Sequence, residues 1–516
     1  MGIRRAPVVL SILLMLPAAA FAAEAAPAPP PGPAAPGPAG PAAAPAPGPA
    51  AAAPIKLTIE DCVLIAVRNN IELRRARLSD RQAELDRSSA LAQFLPTLLA
   101  STSGQQHDVA DATDTATDSV SGSLTQKTPL GTTLTVTGSQ SRDRTNGESE
   151  RDYSSSLSAE VRQPLLSGAG PAAALYDYRA ANLNRFASAG DLERQGQSTV
   201  FQVRQLYWSA LQDELAVAAN QRSLESADYF LKSAQAREAA GQASKLDVSN
   251  AEIQRSTREA ALTLAQARLE EGLDALKQAL DLPLGERLAL GSAPTFAPVA
   301  REPEQLLRTA LQRRPDLAAA RDRLHVLGLD LERKRRNAWP TLDLVAGYTT
   351  SGAGTSPDQS HNYDDHTTRV GLELTVPLGL VASRNALERA ELELRRGRLD
   401  LHRREQQVEA ELRRVLRNLA ASERNIASYE KRLEAAKLAA AAARALYERG
   451  KASSFDVVRA EDDLLAAELG RDGSRADYLS RTAELDLVCG RPVSQALPAG
   501  KPGAPGADGL KAPKGK

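Results

Sequence analysis

Two cysteines in 516 residues exclude a disulfide scaffold and any multi-cysteine zinc or iron–sulfur centre. Aromatic residues make up only 4% of the chain, thin for a large enzyme core. An excess of charge of one sign is also missing: 64 Lys+Arg stand against 64 Asp+Glu, which argues against nucleic acid as a main partner. Beyond the N-terminus no run of 18 apolar residues occurs, so no helix is expected to span a membrane and a β-barrel is the remaining membrane option. Proline is absent from residues 172–282 and from residues 378–491. Because proline breaks helix interiors, these two stretches of nearly equal length are expected to hold two very long helical tracts.

The prolines that do occur are placed unevenly. Twelve lie within residues 25–54, which contain only Ala, Pro and Gly, and five lie within 491–516. Such composition cannot bury a core, so residues 23–54 read as a linker and 491–516 as a disordered tail. Ahead of the linker, Arg4 and Arg5, the apolar run Val8–Leu16 and Ala20-Phe21-Ala22 have the order of a secretory signal peptide over residues 1–22.

Between these ends one plan is written twice. Ala66–Arg77 matches Ala310–Arg321, and Phe94-Leu-Pro96 matches Trp339-Pro340, at an offset of 244. Gly241–Val248 matches Gly450–Val457 at an offset of 209. Each repeat reads as a helix, a β-rich segment, a long helix, a turn and a shorter returning helix. The first repeat covers 55–282, with strands in 97–163 and helices over 172–239 and 245–281. The second covers 302–490, with strands in 341–376 and helices over 382–449 and 454–489. The proline-containing stretch 283–301 reads as an equatorial joint between them. In the second long helix Leu387, Leu394, Leu401, Val408 and Val415 recur every seven residues, and Leu412, Leu419, Ile426 and Leu433 continue the stripe. A seven-residue stripe holds one face of a helix against neighbours over its whole length.

Between the corner prolines the period changes to two. Val370, Leu372, Leu374 and Val376 alternate with Arg369, Gly371, Glu373 and Thr375, and Leu157, Ala159 and Val161 do the same in the first repeat. Strands with one apolar and one polar face suit a transmembrane barrel, although a half-buried soluble sheet alternates identically. The long polar connections Asp108–Asp118, Ser141–Asp152 and Ser351–His366 favour the barrel. Four strands fit the first repeat (97–107, 119–127, 132–141, 153–163) and two the second (341–349, 368–376). So few strands cannot enclose a conducting pore, so several copies are needed.

At the other end of each long helix stands Gly-x-Ala-Ser-x-x-Asp-Val. Gly241 and Gly450 suit the left-handed position that ends a helix, and Ser244 with Asp247 and Ser453 with Asp456 suit capping boxes for the next one. Capping accounts for nearly every residue of the motif, but it leaves Leu246 and Phe455 as apolar residues at an exposed tip. A partner docking between the tips would account for them.

Taken together, Leu57-Thr-Ile-Glu-Asp61, the Phe94-Leu-Pro and Ala-Trp339-Pro stops, Gln163-Pro-Leu165 and the paired tip motifs resemble the TolC-like outer membrane factor family over about residues 55–490. The resemblance implies a mainly α fold with a transmembrane β-barrel, formed as a homotrimer with a long α-helical barrel of twelve helices. It implies an outer membrane channel of a tripartite efflux or type I secretion system, acting as a passive exit duct. The implied partners are a periplasmic adaptor (membrane fusion protein), an inner-membrane pump or secretion ATPase, and outer membrane lipid. Adaptor hairpins would settle around Gly241, Ala243, Ser244, Leu246, Asp247 and Val248, and around Gly450, Ala452, Ser453, Phe455, Asp456 and Val457. The family's periplasmic gate pattern is matched by Tyr447 and Asp456, whereas Ala452 and Arg459 depart from it, so the closing network is expected to differ. The strand count departs as well: two strands per repeat would make a barrel of twelve, whereas four plus two make eighteen or leave an extra hairpin outside the membrane.

The chain shows no nucleophile triad, phosphate loop or metal-spaced ligand set, so no enzyme activity, metal or cofactor is expected. His361 and His366, flanking Asp364 and Asp365, read as part of a solvated loop. Whether Cys62 and Cys489 pair is left open. A periplasmic coiled-coil scaffold or adaptor with a soluble β domain remains the alternative to the duct.

Overall fold

The computed structural model describes residues 55–107, 115–145, 152–291, 302–376, 379 and 381–496. The expected signal peptide and linker lie outside the described residues, as do most of the expected tail and residues 292–301 of the joint.

The first repeat contains β1 (Ile55–Leu57), α1 (Ile59–Asn69), α2 (Ile71–Ala92), β2 (Thr97–His107), β3 (Thr115–Lys127), β4 (Thr133–Thr145), β5 (Asp152–Pro164), α3 (Pro171–Ala174), α4 (Tyr176–Ala239) and α5 (Lys245–Leu280). After β6 (Leu288–Leu290), the second repeat follows with α6 (Pro303–Arg313), α7 (Pro315–Asn337), β7 (Thr341–Gly354), α8 (Pro357–Ser360), β8 (Asp365–Thr375), α9 (Val381–Glu448) and α10 (Ser454–Val488), and α11 (Val493–Ala496) ends the described chain.

Several boundaries differ from the sequence reading. The helix expected before each β segment is two helices. Asn70 breaks the first with extended backbone (ψ 128°), its side chain accepting from Leu73 N and donating to Ala279 O. Pro315 breaks the second, because the residue before a proline is pushed out of the helical region and Arg314 stands at ψ 120°. Leu175 interrupts the expected start of the first long helix with a turn-like backbone, at φ −92° and ψ 5°. The polar connections are shorter than expected: residues 115–118, 141–145 and 351–354 continue the strands, their serines, threonines and charged residues pairing across the ladder. His366 accordingly stands in β8, stacked on Tyr348 at 6.1 Å, and not in a loop. The joint carries β6, which pairs in parallel with β1. The tail is ordered through residue 496, because Val493 is buried in the equatorial core and its N–H donates to Glu193 at 3.0 Å.

Helices α4 and α9 set the length of the molecule; the 68 residues of α9 span ~100 Å at ~1.5 Å per residue. Towards the sheet, α2 and α7 flank α4 and α7 also meets α9. Towards the turns, α5 and α10 flank α4 and α10 meets α9. At both levels four helices therefore lie side by side, with α9 at one edge and α2 or α5 at the other. Close approach depends on glycine where α4 crosses the start of α7: a Cβ on Gly190 would stand 2.8 Å from Pro315 O. The seven-residue stripe of α9 is buried from Val408 to Tyr447, and its one polar member, Ser422, donates to Asp477 of α10 at 2.5 Å.

The widest apolar core lies at mid-height, where Tyr207 and Trp208 of α4 meet Cys62 and Val63 of α1, Leu276 and Leu280 of α5, and Leu288. Cys62 belongs to this cluster and Cys489 to a second one on α9 and α10; both thiols are free and buried. Burial, with Asp61 beside it, pushes the Cys62 pKa up to about 12, and burial with Asp486 pushes Cys489 to about 11. A raised pKa leaves almost no thiolate at pH 8. We therefore expect neither cysteine to react with a maleimide at pH 8 until the protein is denatured; labelling within minutes in the native state would contradict the burial.

Strands β2-β3-β4-β5-β7-β8 form one antiparallel sheet in that order. Its two faces differ sharply. Leu98, Leu124, Val136, Ala159 and Leu372 lie on one face, and serines and threonines dominate the other.

Candidate functional site

The two tips are built alike. Each long helix ends in a Schellman motif: Gly241 (φ 71°) donates to Glu238 O and Gln242 to Arg237 O, while Gly450 (φ 69°) donates to Tyr447 O and Lys451 to Leu446 O. The positive φ is why glycine stands at both places. Each returning helix then opens with a capping box. Asp247 N–H donates to Ser244 Oγ at 3.2 Å while Ser244 N–H and Oγ donate to the Asp247 carboxylate. Ser453 and Asp456 repeat the arrangement, with Asp456 N–H to Ser453 Oγ at 3.2 Å. Hydrogen bonds from Ser244 hold the Asp247 carboxyl below its usual range, and those from Ser453 do the same for Asp456. A depressed carboxyl adds stability above its unfolded pKa and loses it only as pH falls through the folded value. Both caps therefore persist at neutral pH.

The tips differ in what they pack against. Val457 is fully buried whereas Val248 is only half-buried; Ala452 and Ala243 are both half-buried. Val457 joins Tyr447 and Phe230 in a small apolar cluster, with Tyr447 edge-on to Phe230 at 5.4 Å between ring centroids. Arg237, near the end of α4, closes this cluster. Its guanidinium lies 4.3 Å from the Tyr447 ring centroid and donates to Tyr447 O at 3.0 Å and Glu448 O at 3.5 Å. Those carbonyls are the negative end of α9, where a cation is favoured. Arg237 thus ties the second tip to the first long helix. Neither Phe230 nor Arg237 stands out in the sequence; at the repeat offset of 209 their counterparts are Ala439 and Leu446.

Of the residues singled out from the sequence, Tyr447 faces this cluster and Asp456 faces its own helix cap. Leu246 and Phe455 project into solvent, 68% and 70% exposed, and Ile253 one further turn pair along α5 is exposed as well. Phe455, Ile253, Phe230 and Tyr447 line a groove of about 280 Å³ between the two helix hairpins, and Asn250, Gln254, Arg258 and Glu461 are among its polar members. The groove offers apolar contact area beside one charge of each sign, Arg258 and Glu461, which suits a helical or extended protein segment better than a small ionic solute.

Residues 306–491 match the family model described as outer membrane efflux protein. The chain is 26% identical over 199 residues to the outer membrane efflux protein BepC of Brucella suis, the match covering 39% of this chain and 42% of the relative. It is 27% identical over 245 residues to the proteases secretion protein PrtF of Dickeya chrysanthemi, covering 46% and 51% respectively. The chain thus spans about half the length of the curated relatives it matches. The fold is that of a larger set of solved channels; with the CmeC outer membrane channel of Campylobacter jejuni it shares 16% identity and a TM-score of 0.67, covering 85% of this chain and 88% of that one.

Proposed function

We propose that this chain, a member of the outer membrane efflux protein family, forms a homotrimeric outer-membrane exit duct whose helical part lies in the periplasm and whose entrance is gated at the helix tips. The observation that carries the reading is that both layers of one copy end in unpartnered edges. Among the described residues, β2 and β8 each have one open side in the sheet. In the helical layer, Ile71, Leu78 and Leu85 form an exposed seven-residue stripe on α2, and Leu392 and Leu399 form one on α9 at the opposite edge. A contiguous apolar stripe on each edge calls for a helix to cover it, and an identical neighbour supplies the complement at both. One copy encloses nothing; a ring of copies encloses a lumen through both layers.

The duct holds no energy source of its own in this reading and performs no chemistry. An inner-membrane pump or secretion ATPase supplies the work, and a periplasmic adaptor (membrane fusion protein) joins it to the tips. The groove beside Phe455 and Ile253 supports an adaptor segment docking there, at the residues of the two tip motifs. One relative is named for efflux and one for protease secretion, so both transport classes suit the duct. Asp456 and Tyr447 are the gate residues of this reading, joined now by Arg237 and Phe230.

The reading is tested by pairing Leu78→Cys with Leu399→Cys in one chain and adding a short bismaleimide to intact cells. We expect a ladder ending at the trimer, recovered with the outer membrane. A monomer that stays soluble in the periplasm would overturn the duct and favour a scaffold or adaptor with a soluble β domain.

A further inference from the structure

We propose that all six strands of each copy are membrane strands, so that the trimer closes an eighteen-stranded barrel wide enough that the helix tips, not the membrane part, set the size of the cargo. The inference rests on the trimeric reading above and concerns the β2–β3 hairpin. If that hairpin stood outside the membrane, four strands per copy would remain and the barrel would have twelve.

One observation permits the hairpin in the barrel and two place it there. The first is parity: β2 and β8 are the two edges of a six-stranded antiparallel sheet, each 11 residues long, and they run in opposite directions. The β8 edge of one copy can therefore pair antiparallel with the β2 edge of the next, over equal length and without a parallel seam. Their side chains are exposed along almost their whole lengths, as open edges should be.

The second is the course of the apolar band. Ala100, Gly122, Gly138, Leu157, Thr350 and His366 occupy one hydrogen-bonded row across all six strands. On β2 the band is centred at Ala100, next to Leu98, but on β8 it is centred at Leu372, between Val370 and Leu374. From His366 to Leu372 is a drift of six residues over five strand-to-strand steps. At ~3.3 Å per residue and ~4.8 Å per strand, a level band requires strands tilted by ~40°. Membrane barrels tilt by ~35–45°. On the extra hairpin the band stays on the row, at Ala100 on β2 and at Gly122 between Val120 and Leu124 on β3, and it continues without a break onto β4, where Val136 lies two residues below. A hairpin standing free of the membrane has no reason to carry the band at that level.

The third is the opposite face. Ser101 and Ser121 pair through their hydroxyls at 2.8 Å, as do Ser103 and Ser119, and the ladder continues at Ser139–Ser156 and Ser141–Ser154. The extra hairpin and the β4–β5 hairpin thus share one hydroxyl-covered surface, uncharged over this stretch and suited to a wet lumen. At the base, the β3–β4 turn is tied to the chain leading into α3, with Gly170 N–H donating to Leu130 O at 3.3 Å, so β3 returns to the same level as the other strands.

Eighteen strands at this tilt have a circumference that corresponds to a backbone diameter of ~36 Å, against ~24 Å for twelve. With small serine and threonine side chains lining it, such a lumen passes a polypeptide or another macromolecular chain once the tips open.

The test is cysteine labelling in trimers reconstituted in lipid vesicles, with a membrane-impermeant thiol reagent. Ser101→Cys and Ser121→Cys are expected to react at least ~10-fold faster than Leu98→Cys and Val120→Cys, which become reactive only in denaturant. Two variants per face guard against one that fails to assemble. If trimers form and conduct but Leu98→Cys and Val120→Cys react as fast as the serine positions, the hairpin lies outside the membrane and the barrel has twelve strands, with the duct itself intact. If no trimer forms in any variant or in the parent chain, the duct reading fails and this one with it.

Discussion

Replacing Tyr447 by alanine is expected to leave the trimer assembled and to raise its open time in planar bilayers by about two orders of magnitude. Tyr447 is the last member of the buried stripe of α9, and it is the residue on which the tip cluster converges. Truncating a buried aromatic costs ~3–5 kcal/mol, and losing the cation–π contact with Arg237 adds ~0.5–2 kcal/mol. The remaining ties at this tip are the hydrogen bonds from Arg237 to the carbonyls of Tyr447 and Glu448, the capped turn, and the ion pairs Arg444–Glu461 and Arg258–Asp462, of which the capped turn and Arg444–Glu461 are internal to the α9–α10 hairpin. At this tip only Arg258–Asp462 and the Arg237 hydrogen bonds still join the second hairpin to the first, so the larger part of the hold goes with the aromatic cluster. A shift of ~3 kcal/mol changes the ratio of closed to open tips by ~100-fold.

The same reasoning orders the other variants. Arg237→Ala removes the tie to the carbonyls of Tyr447 and Glu448 and should come second, with Arg237→Lys between it and the parent, since lysine keeps the charge but loses the planar stack. Asp456→Asn disturbs only its own helix cap and should come last. Equal effects of Asp456→Asn and Tyr447→Ala would show that a carboxylate network closes the entrance, and a silent Tyr447→Ala channel would remove the cluster from the gate altogether.

That ordering was only half legible in the sequence. Tyr447 and Asp456 stand out together because both flank the repeated glycine motif, yet a motif cannot say which way a side chain faces. The capping box claims Asp456 and the heptad stripe claims Tyr447, and only packing tells the two apart. Arg237 and Phe230 escaped because the signal was duplication, and the second repeat has Leu446 and Ala439 at their places. The long helices were legible from missing proline and the seven-residue stripe, both of which extend over many turns. Strand ends were not, since Thr115–Ser119 and Ser139–Thr145 pair through hydroxyls and charges and show no apolar alternation. The three-residue pair β1–β6 is shorter than any period that could announce it.

Replacing Gly490 by alanine is expected to destabilise the assembled protein by ~2–5 kcal/mol, whereas Asp281→Gly should cost nothing and stabilise it by up to ~1 kcal/mol. The two residues end the returning helices of the two repeats, 209 positions apart, and both are left-handed, at φ 67° and φ 56°. Asp281 is the only non-glycine residue with positive φ among the described residues. Relieving its backbone forfeits an exposed pair with Arg74 at 3.2 Å, which is worth ~0–1 kcal/mol. Gly490 is constrained twice. Beyond the left-handed backbone, a Cβ there would stand 3.0 Å from Arg314 Cα and 3.1 Å from its N, both backbone atoms that cannot swing away. Moving them would drag a buried guanidinium, only 4% exposed, that Asp316 holds at 2.7 Å and Glu411 at 2.8 Å. Disturbing a buried ion network is costly because each charge has already lost its water. The first repeat has Asn70 where the second has Arg314, with a single hydrogen bond to Ala279 O and no buried charge to displace. Trimer-dissociation temperatures in detergent measure both variants side by side. A Gly490→Ala protein that dissociates within a degree or two of the parent would show that the Arg313–Arg314 corner yields freely, and the equatorial charge network would then carry no part of the rigidity assigned to it.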